Sequence, residues 1–596
     1  MKNEWSDNRN KRLVFTAAGL CLVSLLLFII SIPQDIVWGD CPELAAGAWT
    51  LGVPHPTGYS SYILTTRLFQ WLPFGTVAFR GHLFSAVCAS LSCSILFLFL
   101  YRCLSEGIGE KGSLTLVPAA ASAFACILTP VIWSQAQITE VYALFVLQFA
   151  LLLLLLYEFK KNPARVFAPL AFVTGLALMH HRLIVFLLPI AGILFVTFMN
   201  REFNAKRNRT NTTSALLHSS RILCKTGFLF FIPFLLLLYY PLRAWKNPPL
   251  NWYDPDTPHR LLQLLSGEQY SGVLQNGIRN VLHNFSSFHL YQFFAMPLLC
   301  YSWLAIPILI GLFVLFRRQL WMGLTVLYIF VVYQLFMICY LVGDWQVYLI
   351  PALIVLTIPL TFGLASILTA IQKKWNGFAY KTFLLLFCIA ALLPLFVPFD
   401  EPIGLIGQSL PPNPFPLSFE SAINRFLSVY DASTADYAEQ VFHLVPPGIP
   451  IITGLFEFSA DNEYYPLLYQ QIVEQKRLDS PLIGAGFLYL DWYRREMNRL
   501  LNLDLPMRND QRSLDRNHWH EDTWQTVVLP LIIRESLAST SHPLPSDWQS
   551  RCRIEVAGMT TFDRNKAPAN IAWSYRRYLP FRYIYRLSIP SAENKE

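Results

Sequence analysis

Two carboxylates, Asp40 and Glu43, stand three residues apart in Trp38-Gly39-Asp40-Cys41-Pro42-Glu43, directly after the first long apolar run of the chain. If a helix starts at Cys41, both lie on its first turn and face the same way. Two readings fit that spacing equally. Asp40 as N-cap and Glu43 at the third position resemble a capping box, with Pro42 tolerated in the first turn. Alternatively, the pair handles a proton: a carboxylate takes it from a hydroxyl, and partial burial raises the usual aspartate pKa of ~3.9 and improves the base. The position favours chemistry, because the acids sit at a membrane edge beside His55 and Tyr59, where ionised groups need a reason to be present.

The elements that must hold these residues are membrane spans. The chain of 596 residues is 54% hydrophobic and only 14% charged, well below the quarter charged that soluble domains carry. Its mean hydropathy is +0.40. The net charge of +8 needs no nucleic-acid partner, since basic loops on the cytoplasmic side account for it. Most cysteines, among them Cys88, Cys93, Cys126 and Cys300, lie in apolar runs and act as small hydrophobes. The sequence therefore implies neither a disulfide framework nor a zinc site.

Lys2–Arg12 is polar and basic, and 13–32 is apolar and long enough to span, with no small-residue cleavage site after it. This predicts a retained signal anchor with a cytoplasmic N-terminus. Further spans are predicted at 82–101, 114–132, 139–157, 166–180, 182–199, 226–242, 295–316, 320–342, 347–371 and 382–398, about eleven in all. Lysine and arginine then gather in four alternate loops: Lys160, Lys161 and Arg165; Arg201 to Arg221; Arg317 and Arg318; Lys373 to Lys381. That asymmetry places these loops inside.

Every unusual polar cluster then falls outside: Asp40/Glu43, Gln135–Glu140, His180-His181-Arg182, Arg243–Asn284 and Gly343-Asp344-Trp345. Five clusters on one side point to one extracytoplasmic site. For His180 or His181 alone, an interfacial role is the better reading, and Arg182 and Arg67 fit snorkelling equally well. Asp254 and Asp256 fit a proline-bounded turn better than a site.

After residue 400 the composition changes. Residues 401–435 form a proline-rich linker, and 436–596 read as a small α/β domain, outside by the span count. Strands are predicted at 450–453, 482–490, 526–533 and 581–589, and helices at 462–476 and 492–501. No phosphate-binding glycine loop or nucleophile elbow occurs in the chain.

Gly39-Asp40-x-x-Glu43 followed by Leu51-Gly-Val-x-His55-Pro-x-Gly58-Tyr59 resembles the signature of the plexin-type O-mannosyltransferase-like family, which is similar in plan to the GT-C glycosyltransferases. Thr139-Glu140-Val-Tyr142, His181 after Gly175-Leu-Ala-Leu, and Asn247 to Thr257 extend the likeness. Cys41-Pro42 and Thr57 depart from it.

The resemblance implies a polytopic α-helical membrane protein with a GT-C-like catalytic module over residues 1–400, its outer loop 33–81 carrying the acids. It implies an enzyme moving a sugar, mannose for example, with inversion, from a polyprenyl-phosphate donor to a hydroxyl on protein, glycan or lipid. Asp40 is the expected base. Glu43 orients it or serves as the base itself. His55, Tyr59, Arg80, Glu140, His181, Arg182 and Arg243 are the expected donor-binding residues. No metal is expected, although an acid pair can hold a divalent cation. The implied location is the inner membrane, or the endoplasmic reticulum membrane in a eukaryote. A lipid transporter or flippase, with charges near the bilayer midplane, is the alternative; a non-catalytic assembly protein is another.

Overall fold

The computed structural model describes residues 2–374, 433–501 and the strands 553–559, 572–579 and 582–588, apart from short breaks at 110–111, 210, 341, 343, 446, 449–450, 454–459, 485–486 and 488–489. Helix α1 (Lys2–Ser31) is followed by two short helices, α2 (Cys41–Thr50) and α3 (Ser60–Gln70), and by the long α4 (Val77–Ile108). Among the described residues, eight helices are long and apolar enough to cross a membrane. Two bent pairs, 113–127 with 130–137 and 287–299 with 302–318, bring the number to ten if each pair is one crossing. These correspond to the first ten spans expected from the sequence; 382–398 lies outside the described residues. The chain is an integral membrane protein.

Counting crossings brings residues 32–76, 138–140, 181, 245–286, 340, 342 and 344 to one end of the bundle. The contacts agree. Thr139 Oγ1 bonds His82 Nδ1 at 2.8 Å, and Arg182 Nη1 donates to the Ser266 carbonyl at 2.9 Å. At this end the backbone of Val53 pairs with Leu250 and Trp252, tying the first outer loop to the later one. Basic residues close the opposite helix ends: Lys160 and Lys161, Arg207 and Arg209, Arg317 and Arg318, Lys373 and Lys374.

The later part of the chain carries a five-stranded sheet: β1 (Ile451–Thr453), β2 (Leu482–Gly484), β3 (Arg553–Met559), β4 (Ala572–Leu579) and β5 (Arg582–Ser588). Its order is β2-β1-β3-β5-β4, with β1 parallel to both neighbours and β5 antiparallel to β3 and β4. The strand expected at 482–490 ends at Gly484, and helices run over Ala460–Ile472 and Asp491–Leu501. The strand expected at 526–533 lies outside the described residues.

The helix Ala460–Ile472 packs on α2. Small residues on α2, Cys41, Ala45 and Ala46, leave a recess that the fully buried Tyr469 ring fills. The Tyr469 hydroxyl accepts the Ala78 N–H at 3.1 Å, in the first turn of α4. The Trp252 indole N–H donates to the Tyr465 hydroxyl at 2.9 Å. The sheet-bearing part is therefore packed on the helix that carries the acids and hydrogen-bonded to α4 and to Trp252 beside it.

Candidate active site

Alanines at 45, 46 and 48 favour helix in α2, Pro42 pre-sets its first turn, and Leu51 ends it in the left-handed conformation. Asp40 stands at the N-cap position, yet its side chain makes no cap bond. The capping-box reading of the acid pair therefore fails. Glu43 turns instead to His55: its Oε1 accepts the His55 backbone N–H at 2.8 Å, and its Oε2 lies 2.6 Å from Nδ1 of the ring. The far ring nitrogen, Nε2, is 3.6 Å from Asp40 Oδ2. His55 thus stands between the two carboxylates.

Exposure separates their roles. Glu43 is 1% exposed and has both oxygens engaged by one residue, whereas the Asp40 side chain is 34% exposed. Only Asp40 of the three faces outward enough to meet a substrate. Burial raises the Asp40 carboxyl above its ordinary 3.8; the His55 charge opposes that and the Glu43 charge adds to it. The arrangement can take a proton at Asp40 and share the charge with an imidazole that a buried carboxylate orients. The ligand atoms of Asp40, Glu43 and His55 also lie within 4.8 Å of one another, close enough to hold one cation.

The turn that presents His55 is laced from the other side of the bundle. Gly58 has φ +83°, and a side chain there would strike the Tyr240 ring at 2.4 Å. The Tyr240 hydroxyl donates to the Thr57 carbonyl at 3.0 Å and accepts the Ser60 N–H at 3.2 Å. Tyr239 donates to the Gly52 carbonyl at 2.7 Å. Arg243 Nε and Nη2 donate to the carbonyls of Leu51 and Thr50 at 2.6 and 2.9 Å. Arg243, expected to bind donor, thus caps the last turn of α2.

The other expected residues divide. The Tyr59 ring meets the edge of His55 at 5.4 Å and lies 6.5 Å from His181. Burial raises the Tyr59 phenol, and the charges of Asp40 and Glu140 raise it further. Glu140 is buried; desolvation raises its carboxyl well above the ordinary range, and Asp40 and then Asp344 push it the same way. His181 is held neutral, its pKa pushed down to about 3 by burial, then by His180 and Arg182. Arg182 reaches the Ser266 carbonyl while its charge acts on Tyr59, Tyr340 and Tyr240. Arg80 lies elsewhere: its Nε donates to the Thr76 carbonyl at 3.1 Å, and its guanidinium stands 5.8 Å from the Trp49 ring, at the far end of α2 from Asp40.

Asp344 is a site residue that the sequence marked only as part of an outer cluster. Its carboxyl is pushed up to about 6 by the protein around it and then by the Asp40 charge, although the residue is exposed at the surface. Tyr340 and Tyr348 meet edge to face beside it, ring centroids 5.2 Å apart. An acid directly before an aromatic span start was the available signal. Asp254 and Asp256 form a turn, as expected: Arg260 Nη1 bonds both, at 2.8 and 2.7 Å.

Residues 40–207 match the family described as the protein O-mannosyl-transferase TMEM260 N-terminal domain, in line with the resemblance read from the acid pair and the His55–Tyr59 turn. Mouse protein O-mannosyl-transferase TMEM260 is 29% identical over 184 residues, 30% of this chain. The aligned stretch spans a quarter of the length of that curated relative. Among solved structures, ArnT from Cupriavidus metallidurans in the apo state aligns over 97% of this chain and 98% of its own, at 12% identity and a TM-score of 0.47. The same protein bound to undecaprenyl phosphate aligns over 96% and 97%, again at 12% identity and 0.47.

Proposed function

From a match to an O-mannosyl-transferase domain over residues 40–207, and from the Asp40–His55–Glu43 arrangement inside it, we propose that the chain is a membrane glycosyltransferase. It moves a sugar, mannose first among candidates, from a polyprenyl-phosphate donor to a hydroxyl on protein, glycan or lipid. The observation that carries the reading is the half-exposed Asp40, backed by a histidine that the buried Glu43 orients.

The acceptor hydroxyl gives its proton to Asp40. Its oxygen attacks the anomeric carbon as the carbon–oxygen bond to the phosphate breaks, and the phosphate leaves with the electron pair. Attack opposite the leaving group inverts the centre. Arg182 is the cation placed to hold the leaving phosphate, with the Tyr59 and Tyr340 hydroxyls near its charge. Glu140, raised well above the ordinary carboxylate range, acts as a hydrogen-bond donor to a sugar hydroxyl, while Asp344, raised only to about 6, is mainly ionised at neutral pH and accepts from one. Arg243 leaves the donor-binding set because two of its guanidinium nitrogens close the end of α2, and Arg80 because it stands beside Trp49, at the end of α2 away from Asp40.

In this reading the Asp40–His55–Glu43 group carries a proton rather than a cation, so transfer is expected to survive EDTA. It places the site and the sheet-bearing part outside the cytoplasm, the N-terminus inside, in the plasma membrane or, in a eukaryote, the endoplasmic reticulum. The transporter alternative is not favoured, because the acids gather at one end of the bundle rather than at its middle. The test is incubation of the purified chain with polyprenyl-phosphate mannose and other polyprenyl-phosphate sugars, with an acceptor peptide, and mass spectrometry of the products. Absence of transfer from every donor sinks the reading.

A further inference from the structure

At the opposite end of α2 from the acids, two arginines share one indole. The Arg67 guanidinium lies 4.2 Å from the Trp49 ring centre and Arg80 5.8 Å from it. Arg67 also stands 6.0 Å from the Trp71 ring. Among the described residues, no carboxylate forms an ion pair with either arginine. Arg67 Nη1 is enclosed without a hydrogen-bond partner. Arg80 is anchored to the carbonyls of Leu72 and Thr76, which fixes its charge beside that of Arg67. Two like charges held on one ring repel, and burial together with Arg80 lowers the Arg67 pKa. None of the described residues supplies an anion to relieve them.

The surroundings say where one comes from. Leu68, Trp71 and Phe74 are 56%, 66% and 50% exposed, and they flank the arginines in the turn that leads into α4 at Val77. A cationic pair ringed by exposed aliphatic and aromatic side chains, just before a span begins, sits at headgroup depth. Trp71 and Phe74 are suited to the acyl–headgroup boundary, and guanidinium forks match phosphate oxygens.

We propose that Arg67 and Arg80, stacked on Trp49 and flanked by Leu68, Trp71 and Phe74, form a binding site for the phosphodiester headgroup of an anionic phospholipid in the leaflet on the active-site side. The site is distinct from the donor cleft: α2, 10 residues long, separates the arginine end from Asp40 by about 14 Å. It rests on the membrane reading and not on sugar transfer, so the two stand or fall separately.

The experiment uses the full chain in nanodiscs of equal phosphatidylglycerol and phosphatidylcholine, with native mass spectrometry of the lipids retained on release. The wild type should keep phosphatidylglycerol in preference to phosphatidylcholine. Arg67→Gln should lower that preference about fivefold, the worth of one basic residue at an anionic surface. Arg67→Met, which keeps a stem over Trp49 without the charge, is the second variant should glutamine not fold. An unchanged preference in a folded variant overturns the proposal, as does a wild type indifferent to the two lipids. Displacement of phosphatidylglycerol by equimolar undecaprenyl phosphate from the wild type but not from Arg67→Gln also overturns it, because the arginines would then serve the donor.

Discussion

The two ends of α2 carry opposite charges and use them differently. At the N-terminal end Asp40 leaves the helix uncapped, and Glu43 spends both oxygens on His55. At the C-terminal end Arg243 gives two hydrogen bonds to helix carbonyls, and Arg67 and Arg80 stack on Trp49. Acids at the start and arginines at the end of a helix both suit its dipole, so charge placement alone does not tell a site from a support. Hydrogen bonding does. Asp40 leaves the helix N–H groups within its reach unbonded, whereas Arg243 gives two of its nitrogens to the carbonyls that end the same helix.

The sharpest break of that comparison is Asp40→Asn. Asparagine keeps the shape and most capping ability, so a mere cap would survive the change. As the base, its loss should cut transfer by about 10²–10⁴-fold with folding unchanged, measured by single-turnover sugar transfer and thermal melting in detergent. Glu43→Gln is the companion; a larger loss of activity there than in Asp40→Asn exchanges the two roles. At the other end, Arg243→Ala strips the Leu51 and Thr50 carbonyls of a charged donor and should cost about 2–3 kcal/mol of stability. Transfer per folded molecule should fall far less than in Asp40→Asn. A catalytic collapse with normal melting would return Arg243 to the donor site.

The acidity of Asp40 sharpens the contrast further. Its folded pKa is raised, first by burial, with His55 opposing and Glu43 adding. The protonated form is therefore favoured by folding; its stabilising contribution is full below the ordinary 3.8 and is lost as pH rises through the raised folded value. Activity runs the other way, rising as the base deprotonates. Melting of wild type against Asp40→Asn across that window should show the asparagine variant gaining relative stability as pH rises, while wild-type transfer increases. Parallel pH profiles of melting in the two proteins would remove Asp40 as the titrating group. The smallest expected effect is at the docking contact. Tyr469→Phe removes one hydrogen bond to Ala78 and should cost about 1 kcal/mol by thermal melting. A much larger loss would show that the hydroxyl, rather than the ring in its recess, carries the contact.

The spans were legible because apolar runs of bilayer length, bounded by alternating basic loops, leave few other solutions. Asp40, Glu43 and His55 were legible because they stand close in sequence on one short helix and the turn after it. Arginines were harder to read: Arg80, Arg182 and Arg243 look alike at span ends, and only the carbonyls that each one reaches distinguish them. Asp344 was half visible, since its partner Asp40 lies some three hundred residues earlier and no spacing rule links them. The order β2-β1-β3-β5-β4 was not legible at all, because it depends on pairings between strands far apart in the chain.

The seat of Tyr469 on α2 also sets a clock. The bond from Tyr469 to Ala78 joins residues 391 positions apart, and that from Tyr465 to Trp252 joins residues 213 apart. At roughly 5–20 residues per second, the ribosome makes the acid-bearing helix about 20–80 s before the residue that seals its outer face exists. During that interval the recess of Cys41, Ala45 and Ala46 is open and apolar. A nascent chain stalled before residue 469 already holds Asp40, Glu43 and His55 but lacks the ring that fills the recess behind them, so the acid-bearing helix is completed by a segment made long after it.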